Sequence, residues 1–480
     1  MLILSTILIY FCVLMVMGRI TSRKSDNETF YRGERKSPWY MLAFGLVGAS
    51  VSGITFVSVP GMVMKQDMTY IQTCIGFIFG YFLVAFVLLP IYYKFNLTTI
   101  YTFLKMRLGQ RSYKTGALFF LLSEMTGTAL RFYVVCSILQ RFVFGQFHLP
   151  FALTVVMLVA LIWLYTRRGG IKTIVWTDTF QTLCMMVALL MIIYHVTDHL
   201  GLSVGEAVSA VAADSHSRIF VFDDFMSTQN FFKQFFSGIF IVVVMTGLDQ
   251  HMMQKNLTCK TLRDAQKDLC VGGFFFLPVN LLFLSLGVLL MILAAREGIA
   301  LPTDSDQLMP MFTASGWMGN LVLVLFSIGI VAASFSGTDS ALTAITTSVC
   351  VDLKERPDDE RLRRIAHVGV CALFAVFILL FDALNSTSII DAIYILLSYT
   401  SGPLLGLFAY AIIMRRGVND RLVPYICVAS PLVCFAIDKA TTALTGYKFG
   451  YELLMLNGLL VFLGMMLTAR GCSRQENKLK

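Results

Sequence analysis

Charge is what this chain has least of. Of its 480 residues only 14% are Asp, Glu, Lys or Arg, while 57% are hydrophobic and the mean hydropathy is +0.74. A soluble domain is about a quarter charged and under half apolar, so this composition excludes a water-soluble globular protein. Lipid must be the solvent for much of the surface. The eleven cysteines form no CxxC pair and no metal-like Cys/His spacing. That excludes a disulfide framework and reads them as small apolar fillers. A cleavable signal peptide is also excluded, because its positive charges precede the apolar stretch. Here Arg19, Arg23 and Lys24 follow the first apolar run, at about 2–18. No stretch outside the apolar runs is long enough for a soluble catalytic domain. The longest, about 198–230, is expected to form an external cap with short helices.

What is present is a series of thirteen apolar runs between about residues 2 and 469. The expected fold is an all-α polytopic membrane protein with about thirteen transmembrane helices. The net charge of +9 sits in short clusters between the runs. This pattern belongs to cytoplasmic loops and argues against a nucleic-acid partner. Odd-numbered loops are basic: loop three holds Lys94, Lys105, Arg107, Arg111 and Lys114, and loop seven holds Lys255, Lys260, Arg263 and Lys267. Even-numbered loops are poor in basic residues or acidic, with Glu206, Asp214, Asp223 and Asp224 against a lone Arg218 after the sixth run. The alternation places the N-terminus outside, the C-terminus inside and the chain in the cell (inner or plasma) membrane. The N-x-S/T matches at Asn96, Asn256 and Asn385 carry little weight, since the first two fall in loops read as cytoplasmic.

Polar groups inside the runs are functional candidates by default, because burying them in lipid is costly. The second run contains GASVSGITFVSVPG, Gly48 to Gly61, with Ser50, Ser52, Gly53 and Thr55 near its middle. Carbonyls freed by a broken helix need a protein, water or ion partner. Close packing through small residues is the competing account. The seventh run carries a second interruption, TGLDQHMMQK, Thr246 to Lys255. Five helices separate the two, so they enter the membrane from opposite sides, and paired broken helices in inverted halves point to a transporter's central site. In the ninth run Ala333, Ser336, Gly337 and Ser340 share one helix face, and Asp339 adds a carboxylate. Oxygen donors of this kind suit a hard cation such as sodium, with interhelical hydrogen bonding as the alternative. The sixth run opens with GGIKTIVWTDTFQ, which contains Asp178. The fourth holds Glu124 and Arg131 seven residues apart, either a self-satisfied pair or an arginine free to grip an anion. His195 and His199 have zinc-like spacing but no third ligand nearby, so no transition-metal site is expected.

These motifs resemble those of the sodium:solute symporters, relatives of the sodium–sugar, sodium–proline and sialic-acid transporters. The resemblance covers nearly the whole chain and rests on SGITFVSVPG after FYRGERKSPWY, on GGIKTIVWTDTFQ, on GLDQHMMQKNL followed by DAQK, on SFSGTDSALT ahead of VDL, and on SYTSGPLLGLF. It implies the five-plus-five inverted repeat of the leucine transporter in a single membrane domain over 1–480. An extra helix would occupy 2–18, the repeats 38–197 and 231–413, two further helices 421–469, and a cytoplasmic tail 470–480. It implies a sodium site from the carbonyls of Gly48, Val51 and Ala333 with the Ser336 hydroxyl. Gly337 stands there where many members have a second hydroxyl. A second cation would use Asp178, Asp339 and Ser340. The solute would meet Ser52, Thr55, Arg131, Asp249 and Gln250, although Gln250 and His251 could equally form an inner gate.

The expected function is sodium-coupled import of a small organic solute by alternating access, with Na+ as the coupling ion. Arg131 favours a carboxylate-bearing solute such as a sialic acid, monocarboxylate or amino acid. The alternatives are a neutral sugar, proton coupling through Asp178 or Asp339, or a solute sensor, against which the short charged tail argues. No nucleophile–base pair suggests an enzyme, and no obligate protein partner is evident.

Overall fold

The computed structural model describes residues 2–21, 26–225, 227–313, 318–384, 389–414, 416–447, 449–450 and 452–470. Asn385, Arg23, Lys24 and the tail from 471 lie outside the described residues.

The chain is a succession of helices. α1 (Leu2–Thr21) precedes α2, which is split into α2a (Trp39–Ser50) and α2b (Gly53–Gln66) with a 62° bend. Next come α3 (Tyr70–Lys94), α4 (Gln110–Leu139), α5 (Phe151–Gly169) and α6 (Ile171–His199). A second split helix, α7a (Phe231–Gly247) and α7b (Gln250–Asn256), bends by 71°. α8 (Leu262–Glu297), α9 (Asn320–Leu353), α10 (Glu360–Leu384), α11 (Ile389–Ile413), α12 (Val423–Thr445) and α13 (Leu453–Leu467) complete the series. Among the described residues a two-residue antiparallel ladder, β1 (Gly417–Val418) with β2 (Ala469–Arg470), joins the connection between α11 and α12 to the segment after α13 in this all-helical fold. Between α6 and α7a runs a ten-residue helix, Val204–Ala213, closed at its start by a Ser203–Glu206 capping box.

Eight described helices are long and apolar enough to cross a bilayer, or ten if each bent pair is one span. α1 has 20 residues and α11 has 25, whereas α13 has 15 and, at 1.5 Å per residue, falls below the roughly 20 that a hydrocarbon core requires of an upright helix.

The odd-numbered connections gather at one end of the bundle. There Lys172 bridges to Glu34 at 2.8 Å, Arg32 reaches Thr98, Ser37 pairs with Cys259, and Asp420 caps the amides of Arg111 and Ser112. Glu355 accepts from Lys114 and Lys105, and those cations pull its carboxyl down to about 2. The even-numbered connections gather at the other end, where Asp67 meets His216, Gln72 meets Gln229, and a Cβ on Gly61 would fall 2.0 Å from the Ser305 carbonyl. Alternating loops therefore share an end, as the charge pattern requires of a chain crossing at every helix.

Helix contacts repeat with a shift of five. α2 packs on α8 and α3 packs on α7; α6 packs on α9 and α4 packs on α11. Missing side chains make the closest approaches possible. A Cβ on Gly76 of α3 would lie 2.2 Å from the Phe235 carbonyl, and one on Gly238 of α7a 2.4 Å from the Thr73 carbonyl. Across the counterpart crossing, a Cβ on Gly287 of α8 would lie 2.1 Å from the Pro60 carbonyl. The turn between α5 and α6 also needs glycine: Gly170 has φ +50°, and a Cβ there would strike Phe30 at 2.6 Å.

Because backbone rather than a movable side chain opposes Gly238, Gly238→Val is expected to force α3 and α7a apart. The cost is about 1–3 kcal/mol or more. It is read as a lower melting temperature in detergent and less folded protein in the membrane. Gly205→Ala, with nothing within 4 Å of its Cβ, is expected to leave both unchanged.

Candidate functional site

Both breaks lie at the centre of the bundle and differ in how their freed backbone is satisfied. In α2 the Val51 amide closes onto the Val47 carbonyl at 2.9 Å, and the ladder resumes only at Ser52, whose carbonyl accepts from Phe56. Ser52 caps α2b with its side chain, accepting from the Thr55 amide at 3.3 Å. The carbonyls of Gly48 to Val51 are thus passed over, as the last carbonyls of any helix are. In α7 the chain widens into a π-turn over Val243–Gly247 before breaking. There two tyrosines take up the loose carbonyls: Tyr92 donates to Gly247 at 2.8 Å and Tyr101 to Leu248 at 3.0 Å.

α9 lies across the α2 break. A Cβ on Gly53 would fall 1.9 Å from Ser334 Oγ, and one on Gly48 1.9 Å from Thr182 Oγ1 of α6, so α2 is wedged between α6 and α9. Ala333 and Ser336 are buried. At Gly337 only the Ala49 carbonyl lies within 4 Å of an added Cβ, at 3.9 Å, leaving an opening toward the unclaimed carbonyls. Many hydroxyls of α9 bond back to their own helix, among them Ser334 to Ile330 and Thr338 to Ser334. Ser336 is different: it donates to Asp178 Oδ1 at 2.8 Å, and its lone pairs remain open.

The second set of sequence candidates meets a residue that composition had placed elsewhere. Lys255, counted among the basic residues of loop seven, is 4% exposed. The 71° bend carries α7b back into the bundle, where Lys255 Nζ lies 2.6 Å from Asp178 Oδ2. Asp178 therefore joins α6, α7b and α9 through Lys255 and Ser336. Asp339 faces the same region, accepting from Tyr165 at 2.9 Å and Ser340 at 3.3 Å. The one sequence signal for Lys255 was indirect: a carboxylate at Asp178 within a span needs a partner.

A cavity of about 200 Å³ opens beside the breaks. Ser52, Thr55, Arg131 and Asp249 line it, together with Ala333 and Gly337. Gln250 does not. Its side chain is fully buried against the connection between α3 and α4, accepting from the Ile100 amide at 2.9 Å and donating to the Thr98 carbonyl at 3.2 Å, so it holds backbone in place. His251, weighed with it as a gate residue, lines the cavity instead. The Glu124–Arg131 pair is loose. Arg131 Nη2 stands 4.0 Å from Glu124 Oε1 and donates to Thr128 at 3.1 Å, whereas Glu124 holds His251 Nδ1 at 3.1 Å.

Removing one member of a buried ion pair leaves the other uncompensated, at a cost of about 3–5 kcal/mol. Lys255→Met is accordingly expected to lower the melting temperature sharply, and adding Asp178→Asn to recover part of the loss. Additive losses in that double-mutant cycle would mean the two side chains do not interact.

Similarity to known proteins agrees with this architecture. The family model described as "Sodium:solute symporter family" matches residues 30–421. The human sodium/iodide cotransporter is 25% identical over 418 residues, covering 82% of this chain and 62% of that protein. Mouse sodium-coupled monocarboxylate transporter 2 is 24% identical, covering 82% of this chain and 64% of its own length. The sodium/sialic acid symporter of Proteus mirabilis is 22% identical over 88% of this chain and 86% of its own. The chain thus spans under two thirds of the first two relatives and most of the bacterial one. Among solved structures, a substrate-bound, outward-open Na+-coupled sialic acid symporter superposes with a TM-score of 0.84 at 18% identity, covering 98% of this chain and 99% of that one. Mhp1, a nucleobase-cation-symport-1 family transporter in a closed conformation, gives 0.60 at 15% identity over 93% and 94%. These likenesses show a leucine-transporter-like helical fold. With its broken helices, its buried polar centre and a family match over most of its length, this multi-pass membrane protein belongs to the sodium:solute symporter family.

Proposed function

We propose that the protein is a sodium-coupled symporter that imports a small carboxylate-bearing solute by alternating access. The observation that carries this reading is the α2 break. The carbonyls of Gly48 to Val51 are unclaimed, and that of Ala49 lies 3.9 Å from where a Cβ on Gly337 of α9 would stand, beside a cavity lined by Ala333, Gly337 and Arg131. A hard cation prefers oxygen ligands, and the break offers them without a competing donor. In this reading sodium bridges α2 and α9 and holds the outward-open state, the solute joins at Ser52, Thr55, Arg131 and Asp249, and separation of the two helices toward the inside releases both. An ion biases two states only through unequal affinity for them, and a site shared by two separating helices supplies that inequality. Each charge carried inward across about 100 mV gains roughly 2.3 kcal/mol.

The anionic solute is supported by Arg131, whose planar fork matches a carboxylate. It is further supported by relatives named for iodide, monocarboxylates and sialic acid. A second cation at Asp178, Asp339 and Ser340 would share Asp178 with the Lys255 ammonium, so the proposal takes one sodium per cycle. It also takes thirteen spans, repeats at 38–197 and 231–413, an outside N-terminus and the basic loops in the cytoplasm.

Uptake into proteoliposomes, measured against external sodium, tests the site from both directions. Ser336→Ala is expected to raise the half-saturating sodium concentration about tenfold, with the protein still present in the membrane. Gly337→Ser, placed where the cavity has room, is expected to lower it roughly fivefold, the effect of about 1 kcal/mol. Sodium dependence unchanged in both variants would sink the site, and equal uptake without sodium would sink the coupling.

A further inference from the structure

The cavity wall opposite α2 holds more negative charge than one arginine balances. Glu124 of α4 and Asp249 and His251 of α7 each offer a ligand atom, and these atoms all lie within 4.8 Å of one another. All three side chains line the cavity. From these positions we propose that Glu124, Asp249 and His251 form a binding site for a divalent transition-metal ion of the zinc class, within reach of the solute.

The trio is held in place by rigid elements. Asp249 caps α7b, with Oδ1 accepting from the His251 amide at 2.7 Å, so both side chains leave the first turn of that helix together. Glu124 accepts from Thr128 Oγ1 one turn along α4, at 2.9 Å. Its Oε1 is 3.1 Å from His251 Nδ1. Two ligands bound at 2.0–2.1 Å to a tetrahedral ion stand about 3.3 Å apart, so this spacing already matches one edge of such a site.

His251 is 7% exposed, so its ring is held out of water with Nδ1 turned to the Glu124 carboxylate. The second observation is electrostatic: Asp249 makes no ion pair within 4 Å among the described residues, and the Arg131 guanidinium is 4.0 Å from Glu124. Two neighbouring carboxylates in a cavity at membrane depth call for a cation. The donor set selects which. An imidazole nitrogen with two carboxylate oxygens suits Zn2+, Co2+ or Ni2+, whereas alkali ions favour oxygen alone and copper(I) favours thiolates. Three protein ligands leave the fourth position to the cavity, where a metal can hold water or a solute oxygen. The proposal departs from the expectation of no transition metal, because Glu124 and His251 are more than a hundred residues apart in sequence and no local spacing joins them.

The experiment uses purified full-length protein in metal-free buffer, titrated with ZnCl2 by calorimetry and in parallel with CoCl2 by visible absorption. Wild type is expected to bind one ion per chain. Cobalt should show ligand-field bands without thiolate charge transfer, which separates this site from the free cysteines. His251→Ala and Asp249→Asn are each expected to weaken binding roughly tenfold or more. His251→Gln and Glu124→Gln serve as conservative second variants if either fails to fold. No saturable binding, binding that survives these substitutions, or a thiolate signature would each overturn the site. Because the readout is binding, failure here leaves sodium coupling standing, and failure of sodium coupling leaves the metal site standing.

Discussion

In hydrocarbon a carbonyl without a donor costs several kcal/mol, and that constraint organises the centre of this protein. Two helices break at membrane depth, each freeing backbone that lipid cannot satisfy. The α7 break is sealed from within the protein, by Tyr92 on Gly247, Tyr101 on Leu248 and the Asp249 cap. The α2 break is sealed only on its amide side, by Ser52. Its carbonyls are unclaimed, and that of Ala49 faces Gly337 of α9. In the proposed cycle the sealed break is the fixed frame and the open one the element whose packing a cation controls.

Around this centre the buried charges tie elements together in pairs. Lys255 and Ser336 meet at Asp178, so α6, α7b and α9 share one carboxylate. His251 and Thr128 meet at Glu124, joining α7b to α4. Both arrangements use the short helix after the second break, whose seven residues are all buried. Movement of α7b would therefore disturb the cavity wall and the Asp178 pair at once.

Helix approach is set by glycine. Gly76 against Gly238, Gly287 against Pro60, and Gly53 against Ser334 let backbones come closer than any side chain permits. Without a hydrophobic force between helices in lipid, such contacts carry much of the association energy. They also explain why the small-residue stretch at Gly48–Gly61 served two purposes. Gly53 and Gly61 are packing positions, while Gly48 to Val51 provide the loose carbonyls. The two accounts weighed for that stretch both apply, and they meet at Gly48, which packs on Thr182 and also leaves its carbonyl unclaimed.

The sequence alone determined the solvent, the run of membrane helices, the alternation of loops and the positions of both breaks, because these follow from local composition and periodicity. It also marked Asp178, Ser336, Arg131 and Asp249, since polar residues within apolar runs stand out without reference to neighbours. Span length was less legible, because apolar runs do not reveal where helices begin and end: α8 extends over 36 residues and α13 over 15. Partnership was not legible at all. Lys255 read as a loop cation until a 71° bend buried it on Asp178, and Gln250 read as a solute ligand until its amide was found bracing Thr98 and Ile100. The trio of Glu124, Asp249 and His251 exists only because α4 and the α7 break converge. Pairing depends on distances between residues far apart in the chain, and only the tertiary structure decides those.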